Sequence, residues 1–241
     1  MKFLIKTLMD PGPAFKDILN AQKLNQLEQF AKALITWNKH VNLISRKDES
    51  FIWQHHIWHA LSIGYFQTFK PGETLLDIGT GGGFPGLPLA IALPECNFIL
   101  MDSIEKKIHV VNALIKELNI TNAIGVRSRF EESRHAADWI VSRAVTQFPK
   151  FMTWVKPYHF NAKALNTMQG GILYLKGGDL KTEMEQWFSR STQYSLSDVF
   201  TDTYYAEKKL IKLGLDGIQF KPHAVPSTVL PIHNPLNPNP K

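Results

Sequence analysis

A glycine-dense turn is the feature of this chain best suited to bind a ligand. Five glycines fall within the eight positions from Gly79 to Gly86, directly after the apolar run Thr74–Ile78. Glycines let the backbone approach a ligand closely and adopt positive φ, and a helix that begins after such a turn offers unpaired N–H groups to an anion. Asp102 ends the next apolar run, where a carboxylate reaches the hydroxyls of a ribose. The pattern therefore predicts a pocket for a nucleotide-like ligand.

Two classes of cofactor fit this pocket, namely nicotinamide or flavin dinucleotides and S-adenosylmethionine. Gly81-x-Gly83-x-x-Gly86 satisfies the dinucleotide pattern, so glycine spacing does not separate the two classes. Asp77 lies two residues before Gly79, and its carboxylate would attract a cationic amino group and repel a pyrophosphate. We therefore expect S-adenosylmethionine, with an NAD-dependent oxidoreductase as the less favoured alternative.

Short apolar runs and helical stretches alternate from Thr74 onward, which is typical of βαβ units and a parallel sheet. We predict strands at 74–79, 97–102, 122–127, 138–142, 171–176, 194–201 and 207–213. We predict helices at 85–93, 104–118, 149–157 and 180–188. The last two strands leave no room for a crossover helix, so they are expected to form an antiparallel hairpin at one edge. The expected fold is α/β, a Rossmann-like, seven-stranded, mostly parallel sheet of the class I methyltransferase type.

A helical segment precedes this sheet. Apolar residues recur at helical spacing from Leu24 to Ile35, and residues 49–69 are again rich in apolar residues and lack proline. Pro71-Gly72 marks the boundary. We therefore predict an N-terminal helical cap over residues 1–70, an α/β domain over 71–220, and a flexible Pro/Asn-rich tail over 221–241.

Composition limits the partners and the compartment. The chain has 27 Lys and Arg against 21 Asp and Glu, and this net charge of +6 favours a polyanionic partner, although solubility alone would also account for it. Cys96 is the only cysteine, so no intramolecular disulfide can form and a reducing compartment is favoured. Lys6 and Pro11 interrupt any signal-peptide-like run, and no apolar stretch is long enough to span a bilayer. We expect a cytoplasmic protein with no membrane partner.

Several segments together match the pattern of one family: Asn42-Leu43-Ile44-Ser45, His56, Asp77–Gly86, Asp102-Ser103, Ser128–Glu132, Ser142-Arg143-Ala144 and Leu175-Lys176-Gly177. On these segments the chain resembles the GidB/RsmG family of small-subunit (16S) ribosomal RNA guanine-N7 methyltransferases. It departs from the family where many members have an Asp-Ser pair after the histidine and this chain has His59-Ala60. The match covers most of the chain and ends near Leu213.

The resemblance implies roles for individual residues. It implies that Gly79 and Phe84 contact the S-adenosylmethionine cofactor. It also implies that Phe130 and Glu131 flank the adenine of the cofactor, and that Arg143 lies beside both cofactor and target.

The predicted strand ends give compatible roles. Asp77 and Gly81 belong to the cofactor loop, and Asp102 is placed to accept hydrogen bonds from ribose hydroxyls. Glu131 follows the third strand on the same rim, where it can accept from the adenine amino group. Arg143 ends the fourth strand, at the crevice where open α/β sheets bind ligands. There its guanidinium can position the target by holding an RNA phosphate or guanine O6.

Residue types that are missing help to choose the methylated atom. Methylation of a pyrimidine carbon needs a cysteine nucleophile, and Cys96 precedes the second strand, about 20 Å from the crevice at roughly 3.3 Å per residue. Methylation of an exocyclic amine in related enzymes uses an Asn/Asp-Pro-Pro-aromatic loop, and this chain has Ser142-Arg143-Ala144-Val145 there. Guanine N7 presents an in-plane lone pair, so its methylation needs alignment and no general base.

The run His55-His56-Ile57-Trp58-His59 raises the question of a metal site, since His55 and His59 stand four apart like a zinc pair. His56 occupies the position where a zinc protease has its glutamate base, and no third ligand is evident. We expect no metal, and helix packing or RNA contact for these histidines. Two further alternatives stay open, a methyltransferase acting on a small molecule or protein and a non-enzymatic RNA-binding module. We expect a monomer.

Overall fold

The computed structural model describes residues 15–143 and 145–218. Within them seven strands form one sheet: β1 Thr74–Ile78, β2 Asn97–Asp102, β3 Ala123–Arg127, β4 Trp139–Arg143, β5 Gly171–Gly177, β6 Thr192–Ser195 and β7 Lys208–Gly214. Their order across the sheet is β3-β2-β1-β4-β5-β7-β6. The first five strands pair in parallel, and β7 pairs antiparallel with both β5 and β6. The predicted mostly parallel sheet with an antiparallel terminal hairpin is therefore confirmed.

The α-helices of the described residues are α1 Ala21–Asn38, α2 His59–Phe66, α3 Gly86–Ala92, α4 Glu105–Glu117, α5 Phe148–Trp154, α6 Ala162–Thr167, α7 Leu180–Glu183 and α8 Glu185–Phe188. Helix α1 begins where the side chain of Asn20 accepts a hydrogen bond from the backbone N–H of Lys23. Its buried face consists of Leu27, Phe30, Ala31 and Leu34, which follow the predicted helical spacing.

Several predicted elements differ from the structure. Strand β6 ends at Ser195, because residues 196–198 turn into a 3-10 helix that buries Leu196. The predicted helix at 149–157 ends at Trp154, because its helical hydrogen bonds cannot continue into the proline at position 157. The predicted helix at 180–188 breaks at Met184 into α7 and α8. Helix α6 was not predicted.

The N-terminal segment covers one face of the sheet. Between α1 and the sheet, residues 46–51 form a 3-10 helix and residues 52–58 a π-helix that runs directly into α2. One apolar cluster contains buried residues of α1 and of the π-helix, such as Leu34 and Ile57, together with Leu75 and Leu100 of the sheet. A second cluster, which includes Ile140 and Tyr174, fills the opposite face.

The core that the N-terminal segment shares with the sheet fixes its position on that face. In the part of the chain that the structure describes, no helix is both long and apolar enough to cross a bilayer. The predicted tail, residues 221–241, lies outside the described residues, as do residues 1–14 of the predicted cap.

The register of the sheet brings the predicted site residues to one edge. Ile78 of β1 is paired with Met101 of β2 and with Ser142 of β4. The residues that follow, Gly79, Asp102 and Arg143, therefore stand at the same level. Because neighbouring strands lie about 4.8 Å apart, the backbones of Asp102 and Arg143 flank Gly79 across roughly 10 Å.

Candidate functional site

The glycine turn continues the β1–β2 pairing for two residues and then leaves the sheet. The backbone N–H groups of Gly79 and Thr80 both donate to the carbonyl of Met101, at 2.8 and 2.9 Å. Gly79, Gly81 and Gly83 have φ values of +70°, +58° and +95°. A residue with a Cβ is strained in that region, and at Gly79 the Cβ would also collide with the side chain of Val145. Glycine is therefore required by the path of the turn.

The buried side chain of Asp77 fixes the conformation of this turn. It is fully buried, and its Oδ2 accepts hydrogen bonds from Thr80 Oγ1 at 2.6 Å and from the backbone N–H of Gly86 at 2.8 Å. Its Oδ1 is buried and has no hydrogen-bond partner among the described residues. Burial raises the pKa of Asp77 from 3.8 to about 7, although the hydrogen bonds from Thr80 and Gly86 oppose the rise. The turn is thus closed around a carboxyl group with one unused oxygen.

Asp102 connects the turn to the loop after β2. Its Oδ2 accepts from the backbone N–H of Gly81 at 3.0 Å, and its Oδ1 accepts from the backbone N–H of Ile104 at 2.9 Å. A carboxylate oxygen can accept more than one hydrogen bond, so both oxygens can still receive ribose hydroxyls. The carboxylate is therefore oriented before any ligand arrives.

Arg143 ends β4 on the other side of the turn. Its Nη1 donates to the carbonyl of His55 at 3.4 Å, and its Cζ lies 4.9 Å from the ring centroid of Phe84. Among the described residues it has no acid within ion-pair distance. Burial lowers its pKa, and the nearby Tyr204 and Asp77 oppose this shift. A guanidinium with most of its donors unused at a ligand crevice is suited to receive an anion or a carbonyl oxygen.

The side chains of Phe84 and Phe130 belong to the core. The Phe84 ring is 2% exposed and lies 5.4 Å from that of Phe30, centroid to centroid. The Phe130 ring lies 4.1 Å from His159 and 6.4 Å from Phe151. Contacts from these two residues to a cofactor would therefore come from their backbones. Glu131 is exposed in the short 3-10 turn Phe130–Glu132 after β3, where its carboxylate is accessible.

A polar network that our sequence reasoning missed holds the loop after β4. Tyr174 Oη donates to the carbonyl of Thr146 at 2.7 Å, and Lys176 Nζ donates to the same carbonyl at 3.3 Å. Glu183 pairs with Lys176 and accepts from the backbone N–H of Phe148 at 2.5 Å. Lys176 was recognised only as part of a motif. The available signal was a lysine at the carboxyl end of β5, the strand next to β4.

The histidines pack the cap against the sheet. The His55 ring lies between Phe51 and Tyr204, with centroid distances of 4.8 and 3.9 Å, and its Nδ1 lies 3.0 Å from Asp48 Oδ1. His59 is buried, with its Nδ1 3.3 Å from the hydroxyl of Tyr204. Over residues 15–143 and 145–218, no three His, Cys, Asp or Glu side chains are grouped as metal ligands would be.

His56 differs from its neighbours, because it is buried and neither ring nitrogen is hydrogen-bonded to a described residue, although Nε2 lies 3.7 Å from Asp48 Oδ2. Its ring lies 5.1 Å from that of Phe84. Burial, together with the positive charge of Arg143, lowers its pKa to about 3, although the nearby carboxylate of Asp48 opposes this shift. The histidine is therefore neutral at physiological pH.

The crevice fits S-adenosylmethionine on two observations. The unpartnered buried Oδ1 of Asp77 is an acceptor suited to a cationic amino group. A Cβ at Gly81 would meet no atom of the described residues closer than 3.9 Å, so these residues leave the turn open on that side. Asp102 can in addition accept the hydroxyls of a ribose, which both classes of cofactor carry. The residues present therefore suit a cationic cofactor with a ribose.

Comparison with known proteins agrees with this geometry. A family model described as GidB, rRNA small subunit methyltransferase G, matches residues 23–211. A "Ribosomal RNA small subunit methyltransferase G" of Flavobacterium johnsoniae is 44% identical over 200 residues, covering 82% of this chain and 93% of that protein. The protein of the same name from Flavobacterium psychrophilum is 41% identical over 201 residues, covering 83% of this chain and 95% of that protein. The chain therefore belongs to the GidB family of small-subunit rRNA methyltransferases.

Proposed function

We propose that this protein transfers a methyl group from S-adenosylmethionine to N7 of a guanine in small-subunit (16S) ribosomal RNA. The observation that supports this most strongly is the constellation at one edge of the sheet. A glycine turn held by Asp77 lies between Asp102, which is suited to a ribose, and Arg143, which has no acidic partner among the described residues. Membership of the GidB family supplies the RNA substrate.

Each side of the turn has a separate task in this proposal. Asp77 Oδ1 receives the amino group of the cofactor, and Asp102 receives its ribose hydroxyls. Glu131 accepts from the adenine amino group at the rim after β3. The backbones of Gly79, Gly81, Phe84 and Phe130 border the same ligand.

Arg143 positions the target. S-adenosylmethionine supplies a methyl group on a positively charged sulfur. Guanine N7 bears its own lone pair and no proton, so the N–C bond forms as the S–C bond breaks and no base is required. The protein contributes alignment and exclusion of water. Arg143 holds guanine O6 or an adjacent phosphate, while the loop that follows β4 lies against the turn through Val145.

We also propose that the protein acts as a monomer. Small-subunit ribosomal RNA also implies that the reaction takes place in the cytoplasm.

The experiment is methyl transfer from tritium-labelled S-adenosylmethionine to small-subunit ribosomal RNA taken from cells that lack the family's enzyme. We expect label in that RNA, recovered as 7-methylguanosine after digestion to nucleosides, and none in large-subunit RNA. Arg143→Ala should lower the transfer rate by about 100-fold, if the lost charged hydrogen bonds are worth roughly 3 kcal/mol. Label in a different nucleoside would refute N7 as the acceptor, and label in no RNA would refute the substrate class.

A further inference from the structure

The family motif Asn42-Leu43-Ile44-Ser45 forms a rigid loop beside the cofactor turn. Asn38 Oδ1 accepts from the backbone N–H groups of Leu43 and Ile44, at 2.8 and 3.0 Å. Its Nδ2 donates to Glu49 Oε1 at 2.7 Å. The buried end of α1 therefore fixes the loop at both sides, and its conformation does not have to be ordered when a partner binds.

The side chains of this loop divide into two sets. Ile44 is buried in the core, and the Cβ of Leu43 would lie 3.0 Å from a Cβ placed on Gly82 of the cofactor turn. Asn42 and Ser45, on either side of this apolar pair, are exposed. The apolar residues thus hold the loop on the turn, while the polar residues are left to face solvent.

Beside these polar residues lies a concave surface with a volume of about 790 Å³. We call it the basic platform, and its charged or polar members, besides the buried Asn38, are Lys39, His40, Asn42, Ser45, Arg46 and Lys107. Lys39, His40 and Arg46 are exposed, and Lys107 reaches the platform from the first turn of α4, just after the Asp102 loop. Among the residues that the structure describes, no carboxylate lines this surface.

The cations of the platform are not neutralised by the described part of the chain. Lys39, Arg46 and Lys107 take part in none of its ion pairs. The acids close by in sequence have other partners. Asp48 contacts His55, Glu49 accepts from Asn38, and Glu105 pairs with Arg127. A concave surface with several unpaired cations and exposed amide and hydroxyl groups suits a chain of phosphates.

We propose that the basic platform binds the phosphate backbone of the substrate RNA next to the target nucleotide, with Lys39, Arg46 and Lys107 each neutralising a phosphate. This proposal rests on the proposed function for the identity of the RNA. The platform adjoins the cofactor turn through Leu43, so RNA held there lies beside the crevice that contains Arg143. The two sites have different roles, because contacts of the platform with the RNA phosphates supply affinity and Arg143 positions the target base.

The test measures binding of small-subunit ribosomal RNA between 50 and 200 mM salt, in the presence of S-adenosylhomocysteine. The variant carries Lys39→Gln, Arg46→Gln and Lys107→Gln. The logarithm of the affinity falls linearly with the logarithm of the salt concentration, and each lost phosphate contact makes this slope less steep by about 0.7 to 0.9. Over this range the wild type should therefore lose affinity by roughly 20- to 40-fold more than the variant.

A matched control removes the same charge from the opposite edge of the sheet, with Lys70→Gln, Lys116→Gln and Lys163→Gln, all exposed. The control should keep the wild-type slope, and both triple variants should keep wild-type melting temperatures and binding of S-adenosylhomocysteine. An unchanged salt dependence in the platform variant, or an equally weakened salt dependence in the control, would overturn the proposal that the platform binds RNA.

The methyl-transfer assay separates this proposal from the proposed function. If the wild type methylates the RNA and the platform variant has a wild-type KM for it, RNA binding by the platform is refuted and the proposed function is retained. If the wild type binds RNA through the platform but transfers no methyl group, the proposed function is refuted and RNA binding by the platform is retained.

Discussion

Replacing Asp77 with asparagine separates the structural role of this carboxyl group from its role toward the cofactor. In the native protein the pKa of Asp77 is raised from 3.8 to about 7, chiefly by burial. A rise of this size corresponds to about 4 kcal/mol at pH values above 7. The asparagine side chain can keep an oxygen in place for Thr80 and Gly86, while its NH₂ group occupies the position of the unpartnered Oδ1.

Proton binding to Asp77 sets how the stability of the wild type depends on pH. Between pH 3.8 and 7 the native state binds the Asp77 proton more tightly than the unfolded state does, so the free energy of unfolding of the wild type falls as pH rises. Asp77→Asn does not titrate and lacks this loss. Relative to the wild type, the free energy of unfolding of the variant should rise by about 3 kcal/mol between pH 5 and pH 8. Burying the unpaired NH₂ group costs roughly 1–3 kcal/mol at every pH, so it offsets the whole curve and leaves this rise unchanged.

The assay is urea unfolding followed by circular dichroism at pH 5, 6, 7 and 8 for both proteins. The buried histidines titrate alike in the two proteins, so their contributions cancel in the difference. Thr80→Val is the control, because it removes a hydrogen bond that lowers the pKa of Asp77. It should retain the pH dependence and extend it to higher pH. A difference between Asp77→Asn and the wild type that stays constant from pH 5 to 8 would show that Asp77 does not have a raised pKa.

Three further changes test the packing around the site. Gly86→Ala places a Cβ 2.7 Å from Asp77 Oδ2 and 2.8 Å from Leu100 Cγ, and this overpacking should lower the free energy of unfolding by about 1–3 kcal/mol, read from the urea midpoint. Lys176→Met leaves the partly buried Glu183 without its ion-pair partner, so we expect a lower free energy of unfolding and a lower kcat, with unchanged binding of S-adenosylhomocysteine. Adding Glu183→Gln should restore the free energy of unfolding. An equal loss of unfolding free energy in the single and double variants would contradict the network. Burial lowers the pKa of His159 to about 4, so the wild type loses stability as pH falls below 6.5. As pH falls from 6.5 to 5, the free energy of unfolding of His159→Gln should rise by about 2 kcal/mol relative to the wild type. A constant difference in unfolding free energy over this range would argue against burial of a neutral ring.

The turn and the strand ends could be predicted from the sequence because their signals are local. Glycines directly after an apolar run and acids at strand ends are typical of ligand-binding turns, and parallel register then places Gly79, Asp102 and Arg143 at one level. The antiparallel hairpin followed from the short link between the last strands. These features depend on chain distances that can be counted along the sequence.

Contacts between distant segments could not be predicted in the same way. The buried positions of the Phe84 and Phe130 rings result from packing against Phe30 and His159, which lie far away in the chain. The network of Tyr174, Lys176 and Glu183 joins β5 and α7 to the loop after β4, and no periodicity signals it. The π-helix at 52–58 likewise replaced the regular helix expected from an apolar segment without proline.

The proposed function depends on a cationic, ribose-containing cofactor that binds at the edge formed by β1, β2 and β4. Isothermal titration calorimetry of the full chain with S-adenosylmethionine, S-adenosylhomocysteine and NADH is the decisive experiment. We expect saturable heat with the first two ligands, weaker binding of S-adenosylmethionine in Asp77→Asn, and no heat with NADH. Absence of heat with both sulfur ligands at millimolar concentration, or saturable binding of NADH alone, would contradict this cofactor assignment.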